Sequence, residues 1–156
     1  MAAMTDIFEN KYLDWFFRAQ ALGLAGSTAG VGSGPATLYI LLFTTNPTDS
    51  TAGVEVAGGS YARAAVVSSL ANWAGTQGAG TTVASSGASG TTSNNGAITF
   101  PAPTAAWGVV TGFGIADSLT GGLTAFYGAL TANKTVNSGD PAPFYPAGTL
   151  TVQVDN

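Results

Sequence analysis

The chain has 156 residues, 46% of them hydrophobic and only 8% charged, with four basic and eight acidic side chains and a net charge of −4. It contains neither cysteine nor histidine, which removes disulfides, thiolate ligands and the side chain most used for general-base catalysis and metal ligation. The length suits one domain with a core of its own, the charge has the wrong sign for nucleic acid, and so bare a surface implies sharing with neighbours in a homo-oligomer, a trimer or dimer.

The opening residues, MAAMTDIFEN, lack the basic stretch of a secretory signal, and no apolar run reaches membrane-spanning length. A soluble protein made in a cytoplasm, with no membrane partner, is the expectation. Residues 6–20, DIFENKYLDWFFRAQ, carry the one helical pattern, with Asp6 and Glu9 at capping-box spacing and Asp14 and Arg18 at i,i+4. Phe8, Tyr12, Trp15, Phe16 and Ala19 fall on one helical face, and Lys11, Asp14 and Arg18 line another. An aromatic set of Phe8, Tyr12, Trp15, Phe16 and Phe17 cannot be left in water, so it is the candidate surface for docking a partner. Residues 21–35, rich in glycine, read as a flexible tether between this helix and a β domain over 36–156.

Beyond the tether the hydrophobic period becomes that of strands. ATLYILLFTT, from residue 36, is apolar on both faces and ends at the turn-forming Asn46-Pro47. One face carries Leu38, Ile40 and Leu42 and the other Tyr39, Leu41 and Phe43, the latter being candidates for inter-sheet or inter-subunit packing. Further strands are expected over 61–69, 107–116, 123–130 and 149–154, with turns at DSLTGG and NSGD. In residues 107–116 the alternation sets Trp107, Val109, Thr111, Phe113 and Ile115 against a small-residue face. Short strands, frequent turns and a single helix predict an all-β fold: an antiparallel β-sandwich or jelly-roll-like barrel preceded by one N-terminal amphipathic α-helix. Residues 75–96 are almost wholly Gly, Ser, Thr and Ala, and read either as a solvent-exposed insertion or as an arm that orders against a neighbouring subunit.

Chemistry is sparse. Asp49, Glu55, Asp117 and Asp140 fall in predicted turns, where a carboxylate ordinarily serves its local backbone. There is no nucleophile elbow, no phosphate-binding loop and no EF-hand pattern, so no catalytic residue, metal ligand or cofactor is assigned. Arg63 either pairs with Glu55 or Asp49 or reaches out to water.

Taken in order, ENKYLDWFF, ATLYILLFTTNPTD, GGSYARAAV, NNGAITFPAPTAAWGVVTGFGIAD, TGG and YGALTANKTVNSGD with AGTLTV after it span about two thirds of the chain. As a set they resemble a family of small tailed-bacteriophage virion proteins of the head-decoration and tail-fibre-like kind. That resemblance implies a non-enzymatic structural protein in the virion, assembled in the bacterial host, with the major capsid protein or other virion proteins as partners. A capsid decoration or cement role is expected ahead of a tail-fibre, collar or tail-adaptor role, because the chain shows no shaft-like repeats. A third reading, a carbohydrate-binding sandwich, would need Trp73 or Trp107 exposed to stack on sugars.

Overall fold

The computed structural model describes residues 4–24 and 34–154. Most of the Gly-rich tether therefore lies outside the described residues. In chain order the elements are α1 (Asp6–Arg18), β1 (Thr37–Thr45), β2 (Val54–Glu55), β3 (Ala64–Val67), β4 (Thr91–Ser93), β5 (Ile98–Thr99), β6 (Gly108–Ala116), β7 (Thr124–Val136), β8 (Phe144–Tyr145) and β9 (Thr151–Gln153). The fold is mostly β with antiparallel pairing and a single N-terminal helix, and no sheet among the described residues closes into a barrel. Within those residues no helix is long and apolar enough to cross a membrane.

Residues group into two compact units, one drawn from Met1–Thr37, Val67–Ile98 and Tyr145–Asn156, the other from Leu38–Val66 and Thr99–Phe144. The second is built on a five-stranded sheet in the order β2-β1-β6-β7, with β3 also on β1. Its centre is the β1–β6 ladder, in which Ile40 faces Ile115, Leu41 faces Gly114 and Leu42 faces Phe113. Leu38, Ile40, Leu41, Leu42 and Phe43 are all buried, as the apolar run of β1 requires.

The small face of β6 explains half of that burial. A Cβ on Gly114 would come within 2.8 Å of the Phe43 ring, 3.0 Å of Leu41 and 3.1 Å of Thr124, so the large side chains of β1 lie across the glycine rather than standing clear of it. Leu41, Phe43 and Ala116 form a buried cluster there, with Tyr39 half-buried at the end of the row. On the opposite face the relation reverses between β6 and β7, where the Phe113 ring covers Gly128. Large side chains over glycines on alternate faces keep the sheet tightly filled.

The β6–β7 hairpin turns at residues 117–122, where Asp117 accepts the Leu123 amide at 2.8 Å. β7 runs to Val136, six residues beyond the expected strand end at 130. Its register with β6 is regular from Ile115↔Phe126 to Gly112↔Ala129 and then slips: between Gly112↔Ala129 and Val110↔Lys134, β6 contributes only Thr111 while β7 contributes residues 130–133. This irregularity, four residues against one, interrupts the ladder without ending the strand.

In the first unit, β4 and β9 pair through Thr91↔Gln153, Thr92↔Val152 and Ser93↔Thr151. Leu13, Phe17, Trp73, Leu150 and Val152 are buried. β4 lies inside the low-complexity segment, so that segment is neither strand-free nor a bare insertion. Its three residues, TTS, carry no hydrophobic alternation by which a strand could be read.

Candidate docking surface

α1 starts differently from its sequence signal. Thr5 is the N-cap, with no side-chain cap hydrogen bond, so Asp6 and Glu9 do not form a capping box; both instead place negative charge in the first turn, where the helix dipole favours it. At the other end Ala19 adopts φ 54° and the Gln20 amide returns to Asp14 O at 3.0 Å, closing the helix without glycine.

The helix is also rotated relative to the expected amphipathic face. Leu13, Phe16 and Phe17 are buried, whereas Phe8 is exposed and Tyr12 and Trp15 are half-buried. Phe17 meets Trp73 with ring centroids 4.8 Å apart, Phe16 meets Phe17 at 5.0 Å, and Tyr12 and Trp15 extend the chain of rings outward from Phe16 at 6.2 and 6.0 Å. Burial raises the Tyr12 hydroxyl above its ordinary pKa. The aromatic set thus divides: Phe16 and Phe17 belong to the core of their own unit, and the open part of the helix is Ile7, Phe8 and Lys11 with the outer edges of Tyr12 and Trp15.

What faces inward beside the core is polar. Asn10, Asp14 and Arg18 recur every four residues and form a stripe that grips residues 73–87. Arg18 is 0% exposed; its Nε donates to Trp73 O at 3.0 Å, Nη1 to Asp14 Oδ1 at 2.6 Å and Ser85 Oγ at 3.1 Å, and Nη2 to Val83 O at 2.6 Å. Asp14 in turn accepts the Ser85 amide at 2.9 Å and the Ser85 hydroxyl at 2.6 Å. One turn earlier, Asn10 Nδ2 donates to Gly87 O at 3.0 Å and Thr76 Oγ1 donates to Asn10 Oδ1 at 2.5 Å, while the Gly87 amide donates to Thr76 Oγ1 at 2.9 Å. A Cβ on Gly87 would run into Thr76 O, so glycine is required at that approach. The low-complexity segment orders against its own helix, where the sequence suggested solvent or a neighbouring subunit. Its hydroxyls and close backbone approach stand in for the apolar side chains it lacks.

A groove of about 650 Å³ runs beside this contact, bordered by Ile7, Lys11, Asp14, Gln20 and Ser86. Asp14 is already committed to Arg18 and Ser85, which leaves the groove no carboxylate to act on a bound group. Four further acidic residues, Asp49, Glu55, Asp117 and Asp140, are engaged in the same way. Arg63 forks onto Glu55, with Nε to Oε1 at 2.9 Å and Nη2 to Oε2 at 2.7 Å, and its Nη1 donates to Ser118 O and Gly121 O at 2.7 and 2.8 Å. This hydrogen bonding to Glu55 raises the guanidinium pKa further. Tyr61 adds an Oη donation to Glu55 at 3.1 Å while accepting the Leu42 amide at 2.9 Å, and burial drives its own pKa well up. Asp140 accepts the Asn137 amide at 2.7 Å and Asp49 accepts the Tyr127 hydroxyl at 2.8 Å. Among the described residues no group of three acidic side chains converges as a metal cage would require.

Both tryptophans that a sugar platform would need are inside. Trp73 is 0% and Trp107 5% exposed, with Trp107 Nε1 donating to Gly59 O at 3.0 Å, so neither presents a ring to a carbohydrate.

The family model described as podophage GP4 fiber I protein gp80 matches residues 3–153. The chain belongs to this fibre-protein family. Membership makes it a structural protein of a tailed-phage virion, in line with the resemblance carried by its sequence pieces. No curated protein matches the chain. The gp80-family match covers the helix, the clamped segment and every strand, so both compact units belong to the family's common body.

Proposed function

We propose that the chain is a non-catalytic fibre component of a podophage virion, holding its place through contacts with other virion proteins. The match of residues 3–153 to a fibre protein family carries this reading. The description of that family favours a fibre over the head-decoration role expected from the sequence, and no feature of the sheet or the helix favours decoration. Side-chain chemistry supports a passive role, since Asp14, Asp49, Glu55, Asp117 and Asp140 are each tied into a turn, a tyrosine or an arginine.

Gold-conjugated antibody against the chain, applied to purified virions and imaged by electron microscopy, tests the assignment. Label confined to fibres is expected. Label spread over the head lattice would overturn it in favour of decoration, and release of reducing sugar from host glycans by the purified protein would overturn the non-catalytic part.

A further inference from the structure

Asn95-Gly96 is the one Asn-Gly pair in the chain, and its two residues are held in opposite ways. Asn95 is fixed at both backbone and side chain: its amide donates to Asn72 O at 2.8 Å, Nδ2 donates to Thr81 O at 3.2 Å and reaches Leu70 O at 3.5 Å, and Oδ1 accepts the Gly80 amide at 3.1 Å. Two carbonyls at one end of the carboxamide and an N–H at the other require a donor and an acceptor on the same short side chain, which asparagine supplies and aspartate does not. Thr81 steadies the turn that presents these partners, since its Oγ1 accepts the Gly75 amide at 2.8 Å and donates to Gly78 O at 2.7 Å. Gly96, by contrast, is exposed, its amide donates to no other described residue, and a Cβ there would meet nothing within 4 Å. All of these residues lie between Val67 and Ile98, inside one compact unit.

An asparagine followed by glycine is well placed to lose its side-chain ammonia, because no Cβ shields the attacking amide. Gly96 N bonds to Asn95 Cγ, the Cγ–Nδ2 bond breaks, and Nδ2 leaves as ammonia with the proton shed by the Gly96 amide. Water then opens the five-membered succinimide and leaves a carboxylate at position 95, on the side chain or, in the iso-linked product, on the main chain. For Cγ to swing onto Gly96 N, the carboxamide must first let go of Thr81 O and the Gly80 amide. The nucleophile is ready and the electrophile is withheld. We propose that Asn95 is a deamidation site gated by these hydrogen bonds: it reacts when residues 78–81 lift away, and its product prevents their return. A carboxylate has no N–H for Thr81 O or Leu70 O and sets negative charge against both, while the iso-linked product lengthens the main chain between β4 and β5. A brief opening of the low-complexity segment is thereby recorded as a permanent one, on a fibre or on a head alike.

Purified protein is incubated in heavy-oxygen water at mildly alkaline pH, then digested and analysed by mass spectrometry, which locates each converted asparagine by the oxygen it has gained. Conversion at Asn95 is expected to run roughly tenfold or more slower than in a free peptide of residues 91–100, because a gated reaction is scaled by the population of the open form. Thr81→Val keeps the side-chain shape and removes the hydroxyl ties, so conversion should rise roughly threefold or more while the β4–β9 amides keep their exchange protection. Should Thr81→Val unfold the unit, the wild type in sub-denaturing urea gives the same test: conversion should rise in step with exchange of the Gly80 amide. Gly96→Ala, for which the backbone has room, should slow conversion roughly tenfold in protein and peptide alike. Asn95→Asp should lower the melting temperature by several degrees. Equal rates in folded protein and peptide, a rate that follows neither Thr81→Val nor Gly80 exchange, a peptide whose Asn95 keeps its ammonia, or an Asn95→Asp variant as stable as the wild type would each overturn the proposal.

Discussion

Replacing Arg18 with methionine keeps much of the side-chain volume and removes the guanidinium that holds the helix to the low-complexity segment. In the native unit that group is fully buried, and the Asp14 side chain is only 11% exposed. The variant leaves a nearly buried carboxylate without its counter-charge, and it strips the carbonyls of Trp73 and Val83 of their donors. Breaking one side of a buried ion pair costs about 3–5 kcal/mol, and this pair is hydrogen-bonded on every side, so the loss should lie in that range. With a typical domain stability of only about 5–15 kcal/mol, that is enough to weaken the unit severely. Urea titration followed by tryptophan fluorescence reports the change, because Trp73 is packed against Phe17 in the same unit. Hydrogen exchange at the Ser85 amide, which donates to Asp14, reports the clamp directly. Arg18→Met combined with Asp14→Leu removes both charges and should recover roughly 1 kcal/mol or more of the single variant's loss. A single-variant loss below about 1 kcal/mol, with Ser85 protection unchanged, would show that the polar stripe only decorates a segment held by something else.

Deleting residues 1–20 removes Leu13, Phe17 and Arg18 together, each fully buried, so the first unit should lose its cooperative transition by calorimetry; a truncated chain retaining the full native unfolding enthalpy would contradict this. Gly114→Val drives a branched side chain into Phe43, Leu41 and Thr124 and should cost about 1–3 kcal/mol in urea titration, whereas Gly58→Ala, where a Cβ meets nothing within 4 Å, should show no steric clash and only the strain of its φ of +76°. Burial raises the pKa of Tyr61 and of Tyr145 above the 10.0 of a free tyrosine. Above pH 10 the unfolded chain therefore releases these protons while the native chain keeps them, so stability present below pH 10 should fall as pH rises, by about 1.4 kcal/mol per pH unit for each tyrosine. Tyr61→Phe should flatten that slope; an unchanged slope in the variant would rule Tyr61 out as its source.

Strongly periodic elements were legible from residue types alone. The aromatic helix, the apolar first strand ending at Asn46-Pro47, and the alternating strand after Trp107 all appear close to their expected bounds, because each satisfies local propensity and burial at once. Rotation of the helix was not legible, since aromatic residues occupy most of its circumference and the choice of buried face depends on what else reaches it. A partner of Gly, Ser and Thr has little apolar surface, so the helix turns polar Asn10, Asp14 and Arg18 toward it and leaves Phe8 outside. The i,i+4 spacing of Asp14 and Arg18 signalled the pair, but its burial could be read only from long-range contacts to Trp73, Val83 and Ser85. Short strands such as β2 and β8 carry too few residues for any period to register.

The division of the chain into units also sets an order of events during synthesis. All segments of the five-stranded unit lie between Leu38 and Phe144, so its sheet can form once β7 has left the ribosome. The other unit draws on both flanks: α1 is made first, its clamped segment follows some sixty residues later, and β9, which completes the pairing of β4, comes after everything else. Until Val152 arrives opposite Thr92, β4 lacks the strand that completes its ladder. Chains interrupted before that point would carry a formed five-stranded sheet and an unpaired β4, a combination suited to capture by chaperones or proteases before it can reach a particle.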